Sequence, residues 1–322
     1  MTRPDRPLER FRSLLRAWPF GLAGYLVLRG VFGPILWPIN LIEPLLFWIG
    51  LPSLVFWVVA LARKRRKSAV AHALIALNWL WLFGHAFGPE RSPASGEGLC
   101  ILSFNLAADL APPARVITLL REARADLVLL QELGPVQGAA IELELATLYP
   151  YRDLHPLGIP GMGLLSRHPI LEVRMVRADP QRDVQRAVVD IDGVRTTVYN
   201  VHADLLHTWL WPFGGGIDVL EQLAQEAVRA APSIVGGDFN ATENMEAYRR
   251  LARSGLMDVF HRAGVGPAFT FPVFGRYRSL PLPALARIDT IWCTENFDGG
   301  TAEVLADAGS DHYPVLVRLP RR

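Results

Sequence analysis

The chain has 322 residues, with 33 basic and 31 acidic side chains, a formal net charge of +2 and a hydrophobic fraction of 51%. Its mean hydropathy is +0.21, which is high for a chain in which a fifth of the residues are charged, and this disfavours a wholly soluble protein. Two cysteines and abundant apolar residues exclude a disulfide-stapled miniprotein, a collagen-like chain and a disordered chain.

The charges divide the chain into two parts. Residues 1–98 carry 12 basic and 5 acidic side chains, whereas residues 99–322 carry 21 and 26, so the net charges are +7 and −5. Both lysines, Lys64 and Lys67, lie in the first part. We therefore predict a cytoplasmic N-terminus over 1–16, a membrane region over 17–88, a linker over 89–98 and one folded domain over 99–322.

The membrane region contains long apolar runs. The 46 residues from Ala17 to Ala62 include two charged side chains, Arg29 and Glu43, and have room for two crossings of about 20 residues with a turn over 38–44. A basic run at 63–67 precedes a further 20 residues without Lys, Arg, Asp or Glu. The pattern predicts three transmembrane helices, at about 17–38, 42–62 and 69–88, with a re-entrant hairpin over 17–62 as the alternative.

The basic clusters predict the orientation of this region. The arginines before residue 17 and the run at 63–67 are expected to stay in the cytoplasm, so the last apolar run would carry the chain out of it. An arginine-rich, lysine-poor, alanine-rich composition is typical of a GC-rich bacterial genome. We therefore predict a multi-pass protein of the bacterial cytoplasmic (inner) membrane with an extracytoplasmic domain over 99–322.

The region after residue 98 combines strand and helix patterns. Apolar runs and alternation indicate strands over 99–104, 126–131, 162–166, 170–176, 185–191, 194–200, 233–236, 287–293 and 314–319. Helical spacing indicates helices over 114–125, 217–230 and 244–253. This mixture is typical of a layered α+β sandwich.

Polar side chains follow or interrupt these apolar runs. They are Asn105, Glu132, His202, Asp238, Asn240, Asp289, Asp311 and His312. A strand end is rigid, so a polar residue there can be held in a cleft. Carboxylates and an amide suit a hard cation such as Mg²⁺ or Mn²⁺, and two histidines can transfer protons. Because a Gly-x-Ser-x-Gly nucleophile motif is missing, the set indicates attack by water on a metal-bound phosphate.

The motifs around these residues resemble, in order, those of the endonuclease/exonuclease/phosphatase superfamily, also called the DNase I-like fold. They are Ser-Phe-Asn105, Gln-Glu132, Gly163-Leu-Leu-Ser-Arg-His-Pro-Ile170, Asn-Val-His202, Gly-Gly-Asp-Phe-Asn240, Thr270-Phe-Pro272, Arg-Ile-Asp289 and Ser-Asp-His312. The resemblance covers all of residues 99–322. It implies an α+β fold, a four-layer α/β sandwich of two packed sheets flanked by helices, here preceded by the predicted transmembrane helices.

The resemblance also implies a metal centre and a base. Glu132 would be the main ligand of a Mg²⁺ or Mn²⁺ ion, helped by Asn105 and Asp311. Asp238 would align or deprotonate the attacking water. Metal and hydrogen-bond donors would stabilise the charge that develops on the phosphoryl oxygens.

Four further roles concern the phosphate. The resemblance implies that Asn240 binds a phosphate oxygen and that His202 contacts the phosphate and assists the leaving group. His312, held by Asp289, would act on the phosphate or as an acid and base.

Structural alternatives remain open for these positions. The two asparagines and Asp311-His312 could be turn residues, Asp238 could cap a helix, and Asp289 could pair with Arg287. Asp204, His155, His168, His207 and His261 are interpreted as ordinary surface or turn residues.

The substrate class is open at this point. The net charge of −5 and the lack of lysine over 99–322 disfavour, without excluding, a nucleic-acid partner. An aromatic loop over 205–217, with two Trp and one Phe, and a second possible lip of the cleft over 269–285 could contact a membrane or fold onto the domain.

We predict a membrane-anchored, divalent-metal-dependent phosphoric-ester hydrolase, either a phosphodiesterase or a phosphatase, that favours a lipid head group or another small phosphoester. A membrane-tethered nuclease acting on DNA or RNA is the alternative enzyme. A non-catalytic membrane binding protein is the third reading.

Overall fold

The structure is a computed structural model, and it describes residues 6–32, 41–88, 98–177, 183–205, 215–273, 283–297 and 300–320. The chain divides into two compact units, Met1–Phe87 and Gly88–Arg322, which are described separately. The predicted linker at 89–98, apart from its last residue, and most of the loops at 205–217 and 269–285 lie outside the described residues.

The described part of the first unit is helical. Its helices are α1 (Arg6–Phe32), α2 (Leu46–Gly50), α3 (Pro52–Ala62) and α4 (Arg66–Phe83), with 3-10 turns at Glu43–Leu45 and Gly84–Phe87. The rings of Trp79 and Phe83 each lie 5.1 Å from that of Phe47, and the Trp79 indole donates a hydrogen bond to the Phe47 carbonyl. This aromatic cluster joins α2 to α4.

The helix bounds differ from the predicted ones. The helix predicted over 17–38 begins earlier, at Arg6, and its apolar part, Ala17–Phe32, is shorter than a span requires; residues 33–40 lie outside the described part. The helix predicted over 42–62 is a 3-10 turn followed by α2 and α3, since Pro52 has no N–H and starts a new helix. Among the described residues, two segments, Glu43–Ala62 and Arg66–Phe87, are long and apolar enough to cross a membrane; the sequence predicted three.

The two charged residues of the first apolar run contact each other. Arg29 Nε lies 2.6 Å from Glu43 Oε1, and the Tyr25 hydroxyl donates to the same oxygen at 3.2 Å. The side chain of Glu43 is almost fully buried. Pairing lowers the cost of holding these charges in an apolar unit.

The described part of the second unit contains two six-stranded sheets. The first sheet has the strand order β11-β12-β1-β2-β4-β3 and the second has the order β5-β6-β7-β8-β10-β9. The strands are β1 (Gly98–Asn105), β2 (Leu127–Gln131), β3 (Tyr151–His155), β4 (Met162–Ser166), β5 (Ile170–Arg177), β6 (Asp183–Ile191), β7 (Val194–His202), β8 (Ser233–Asp238), β9 (Met257–Asp258), β10 (Asp289–Cys293), β11 (Thr301–Val304) and β12 (Val315–Pro320).

Helices cover the outer faces of both sheets. The helices are α5 (Pro113–Ala123), α6 (Pro135–Glu144), α7 (Gly215–Arg229), α8 (Glu246–Arg253) and α9 (Val259–Ala263). One hydrophobic cluster joins α5 and α6 to the first sheet, a second joins α7 and α8 to the second sheet, and a third fills the space between the sheets. The predicted four-layer α+β sandwich is therefore confirmed.

The row of side chains that each strand turns toward the other sheet changes from apolar to polar along the strand. In β1 this row is Leu99, Ile101, Ser103 and Asn105, of which the first two belong to the core between the sheets. At this end, the corresponding rows of other strands contain Gln131, His155, Gln185, His202, Asp238 and Asp289. We call the end of the sandwich where Asn105 and these six residues lie the polar edge.

Candidate active site

Five of the eight predicted site residues belong to or directly follow strands at the polar edge. Asn105 ends β1, Glu132 follows β2, His202 ends β7, Asp238 ends β8 and Asp289 begins β10. In the second sheet, Asp238 is the register partner of both its neighbours, His202 and Asp289. Asn240 lies two residues beyond β8, and Asp311 and His312 come just before β12.

Asp238 lies at the centre of the cluster. Its Oδ2 accepts a hydrogen bond from Asn105 Nδ2 at 3.0 Å, and the Nε2 atoms of His202 and His312 lie 3.9 and 3.8 Å from the same oxygen. The residue is 1% exposed. Contacts therefore reach Asp238 from both sheets and from the segment before β12.

Glycine allows the strand that carries Asp238 to approach its neighbour. A Cβ on Gly237 would lie 1.9 Å from the Val201 carbonyl oxygen of β7, and its φ of +146° is one that L-residues rarely adopt. The Gly-Gly-Asp sequence thus brings Asp238 level with His202 in the neighbouring strand.

Glu132 lies between the two sheets at the same edge. Its φ of +49° turns the chain away from β2. Its Oε1 accepts from Asn105 Nδ2 at 3.4 Å and lies 3.5 Å from His202 Nε2. The side chain is 22% exposed, so it can contact a ligand in the cleft.

A histidine–aspartate pair forms the other side of the cluster. His312 Nδ1 and Asp289 Oδ2 are 2.9 Å apart, and Asp311 Oδ1 lies 3.9 Å from His312 Nε2. The Ser310 hydroxyl donates to the Asn105 carbonyl and accepts from the His312 N–H, which fastens this segment to β1. Phe271 covers the imidazole, with the ring centroids 4.7 Å apart.

Arg287 does not take Asp289 as its partner. Its guanidinium lies 2.7 Å from Asp258 and 3.4 Å from Glu243, and it is buried. The alternative in which Asp289 pairs with Arg287 is therefore wrong, and Asp289 orients His312.

Asn240 is fixed beside Asp238. Its backbone N–H donates to Asp238 Oδ1 at 2.8 Å, and its Nδ2 donates to the Ala203 carbonyl at 2.9 Å. Its φ of +48° is one that asparagine tolerates. These two bonds and the backbone conformation hold the Asn240 amide next to the Asp238 carboxylate.

Burial and neighbouring charges shift two pKa values. Burial, together with the negative charge of Asp289, raises the pKa of Asp238 to about 7, against the opposing effect of His312. Burial alone would lower the pKa of His312, but Asp289 and Asp238 outweigh it and raise that pKa to about 10. Near neutral pH the His312 ring is therefore a cation between carboxylates.

The donor set fits a hard divalent cation. Asp238, Asp289 and His312 each offer a ligand atom within 4.8 Å of the others. Asp289 Oδ1 is buried and has no hydrogen-bond partner within the described part of the chain. Glu132 and Asp311 add two partly exposed carboxylates. Carboxylate oxygens of this kind suit Mg²⁺ or Mn²⁺.

Asn105 is held in a different way from the carboxylates. Its Oδ1 accepts from the Ala107 N–H at 2.9 Å, while its Nδ2 points at Glu132 and Asp238. In this orientation the amide donates to both carboxylates, and its oxygen, which accepts one hydrogen bond, retains a second lone pair.

Sequence reasoning missed a layer of buried amides below the site. Gln131 Nε2 donates to Asn200 Oδ1 at 2.7 Å and so joins the first sheet to the second. Asn200 Nδ2 in turn donates to Gln185 Oε1 and to two backbone carbonyls. Side chains two residues apart in a strand share a face, so Gln131 shares a face with Leu129 and Asn200 with His202. This alternation would have placed both amides between the sheets.

Comparison with known proteins identifies related folds. The model of the endonuclease/exonuclease/phosphatase family matches residues 102–312. An endonuclease/exonuclease/phosphatase from Bacteroides vulgatus has 20% identity and a TM-score of 0.56, over 70% of this chain and 100% of that chain. A functionally unknown conserved protein from Enterococcus faecalis V583 has 19% identity and a TM-score of 0.58, over 69% and 100%.

A third similar structure contains nucleic acid. It is D. rerio TDP2 complexed with a single-strand DNA product, with 18% identity and a TM-score of 0.53, over 70% of this chain and 100% of that chain. At such identities the likeness is one of fold. No curated protein matches the sequence.

Proposed function

This chain belongs to the endonuclease/exonuclease/phosphatase family, and on that premise we propose that it is a divalent-metal-dependent hydrolase in which water attacks a phosphoric ester. The observation that carries the proposal is the position of Asp238, a buried carboxylate with two imidazole nitrogens within 4 Å. A carboxylate flanked by imidazoles can align a water molecule and accept its proton.

The phosphate would be bound on the side of His312. Because Asp289 holds Nδ1, the Nε2–H of the His312 cation is the atom that can donate to a phosphoryl oxygen. The Asn240 amide, fixed beside Asp238, is the second candidate donor. These donors would stabilise the negative charge that grows on the phosphoryl oxygens.

His202 would serve the leaving group. Its Nε2 lies between the carboxylates of Glu132 and Asp238, and its ring is buried. A proton held at Nε2 can pass to the departing alkoxide oxygen.

The metal would be held by Glu132 and Asp311, with Asn105 orienting Glu132. When bound, the cation neutralises phosphate charge and polarises the ester for attack. Asp238, Asp289 and His312 form an overlapping set of candidate ligands.

We also propose that the first unit anchors the protein in a membrane, with the hydrolase domain outside the cytoplasm. Glu43–Ala62 and Arg66–Phe87 have the length and composition of membrane spans. Their apolar side chains are turned outward within the unit, including Val55 (63% exposed) and Trp81 (77% exposed). Water disfavours such a surface, whereas lipid tails do not.

A lipid head group or another small phosphoester is the favoured substrate. The acidic, lysine-free composition of residues 99–322 supports this preference. A nuclease is the second candidate, because the similar D. rerio TDP2 is described with a single-strand DNA product.

Hydrolysis by the full-length protein in detergent tests the proposal. Bis(p-nitrophenyl) phosphate, phospholipid vesicles, and single- and double-stranded DNA would each be offered with Mg²⁺, Mn²⁺ or EDTA. We expect metal-dependent turnover of at least one ester that Glu132→Gln abolishes, while Glu172→Gln, a change at an exposed carboxylate of β5, has no effect. Turnover in EDTA, or full activity of Glu132→Gln, would contradict it.

A further inference from the structure

We propose that His155, held by Asp153, is a specificity-determining residue of the same site, and that it binds a hydroxyl group on the alcohol part of the ester. The substrate class is then the phosphate esters of polyhydroxylic alcohols. This assignment rests on the proposed function and goes beyond it by naming the alcohol. His155 is one of the residues that the sequence led us to interpret as ordinary surface.

The position of His155 places it beside the catalytic cluster. It ends β3 opposite Met162 of β4, and Met162 lies opposite Gln131, the residue before Glu132. Two strand spacings, about 10 Å, therefore separate the backbones of His155 and Gln131. This distance is on the scale of one small alcohol that extends along the edge from a phosphate at Glu132.

Asp153 fixes the imidazole. Asp153 and His155 lie on the same face of β3, and Nε2 of His155 is 2.9 Å from Oδ2 of Asp153. The same oxygen accepts from Gln185 Nε2 at 2.7 Å, and Gln185 is 1% exposed. The Asp153 carboxylate, itself held by a buried amide, therefore fixes the orientation of the His155 ring, unlike the surroundings of an ordinary surface histidine.

The support is continuous with the catalytic cluster. Gln185 accepts from Asn200, which accepts from Gln131. Gln131 directly precedes Glu132, and Asn200 lies two residues before His202 on the same face of β7. The hydrogen-bonded chain thus holds His155 in a fixed relation to both residues.

The chemistry of the pair favours a hydroxyl group. A carboxylate oxygen accepts hydrogen bonds, so Nε2 of His155 is the donor in this pair and Nδ1 is the ring nitrogen that can contact a ligand. The side chain is 38% exposed. A hydroxyl both donates and accepts, so it can form a hydrogen bond with an imidazole nitrogen.

The surroundings disfavour a second phosphate or another anionic group. Asp153 adds a negative charge, and the loops at 106–112, 156–161 and 203–205, which lie at this edge, contain no Lys or Arg. Leu157 and Ile159, just after His155, are more than half exposed and offer apolar contact to the carbon skeleton. A neutral polyol fits these features.

Matched esters test the assignment with the full-length protein in detergent and Mg²⁺ or Mn²⁺. One pair is bis(2,3-dihydroxypropyl) phosphate and dipropyl phosphate; the other is glycerol 1-phosphate and propyl phosphate. Both pairs differ in hydroxyl groups alone, and ³¹P NMR follows their hydrolysis. Bis(p-nitrophenyl) phosphate, which has no hydroxyl, reports the basal activity of each variant.

We expect the wild type to favour the hydroxylated member of at least one pair by about tenfold in kcat/KM, the value of one good hydrogen bond. His155→Phe should lower kcat/KM for the hydroxylated member of each pair to that of its partner, so that the ratio within the pair falls to about one. His155→Gln, which retains a hydrogen-bonding group, should keep part of the preference, and Asp153→Asn should weaken it. His261→Phe, at an exposed histidine of α9, is the matched control.

The outcomes separate the two proposals. Three results would overturn the role of His155 and leave phosphoester hydrolysis standing. The wild type could hydrolyse both members of each pair at equal rates, or hydrolyse bis(p-nitrophenyl) phosphate but no glycerol ester. Alternatively, His155→Phe could keep the preference unchanged. Failure of the wild type to hydrolyse any ester with either metal would overturn the proposed function and this assignment with it.

Discussion

Two buried carboxylates of the second unit have opposite pKa shifts because their partners differ. Asp238 faces Asp289, and its pKa is raised to about 7. Asp258 accepts from Arg287 at 2.7 Å and from the Tyr248 hydroxyl at 2.6 Å. Burial would raise the pKa of Asp258, but these partners hold it below its ordinary value. The first carboxylate is poised to exchange a proton, and the second is locked in its charged form.

The charge of Asp258 predicts a pH dependence of stability. Because its pKa is lower in the folded than in the unfolded chain, its stabilising effect is full above about pH 4 and is lost as pH falls further. We expect Asp258→Asn to unfold more easily at pH 7, by about 3 kcal/mol, since it leaves Arg287 buried without its partner.

Thermal unfolding of wild type and Asp258→Asn from pH 7 to pH 3 measures this effect. The difference in melting temperature between the wild type and Asp258→Asn should be largest at neutral pH and should decrease as the pH is lowered. A gap that is the same at every pH would show that the charge of Asp258 has no part in it.

Metal affinity distinguishes the two overlapping ligand sets. We expect Glu132→Gln to weaken Mn²⁺ binding by roughly tenfold or more, because it removes a charged ligand. Asp289→Asn should lower kcat through His312 and change the Mn²⁺ Kd much less. Electron paramagnetic resonance of Mn²⁺ gives both values of Kd. If Asp289→Asn weakened Mn²⁺ binding more than Glu132→Gln did, the ion would lie between Asp238, Asp289 and His312, and Glu132 would not be a ligand.

At the scale of elements, the approach of β8 to β7 depends on Gly237. We expect Gly237→Ala to destabilise the protein by about 3 kcal/mol or more and to abolish hydrolysis, because the new Cβ would collide with the Val201 carbonyl. Gly193→Ala is the matched control, since Gly193 also has a positive φ, of +87°, but has open space around it. It should cost about 1 kcal/mol and leave activity unchanged. Equal effects of the two substitutions on melting temperature would exclude the steric explanation.

Sequence patterns predicted the strands with strong apolar character and missed the polar ones. The strand expected over 99–104 is Gly98–Asn105, and that expected over 162–166 has those bounds. β3, with the sequence Tyr-Arg-Asp-Leu-His, lacks an apolar run because it is an edge strand whose inner row is polar. Helix α6 contains Gly138, which disfavours a helix locally but is required because a Cβ there would lie 2.7 Å from Pro156.

The same limits apply to the site. The order of the motifs was enough to select eight residues that the structure brings to one edge, and their individual roles stay predictions. The pairing of Asp289 with His312, rather than with Arg287, depends on which strands are neighbours, and one sequence does not contain that information. His155 was missed for the same reason, since its support comes from Gln185 in the opposite sheet.

At the scale of the whole molecule, the hydrophobic clusters of the sandwich lie within the second unit. We therefore expect residues 98–322 to fold alone and to keep the hydrolysis of bis(p-nitrophenyl) phosphate. The full-length chain should float with phospholipid vesicles in a density gradient, and residues 98–322 should stay in the soluble fractions. Flotation of the shorter chain would assign membrane contact to the domain itself, and sedimentation of the full-length chain without lipid would contradict the anchor.

The place of β12 has a consequence for the nascent chain. This strand lies between β1 and β11, directly after Asp311 and His312, although β1 is the first strand to leave the ribosome. The first sheet stays incomplete, and the cluster lacks His312, until synthesis has passed residue 320. A nascent chain that has not yet reached β12 therefore lacks part of the proposed hydrolase site, which is complete once this domain has been translated.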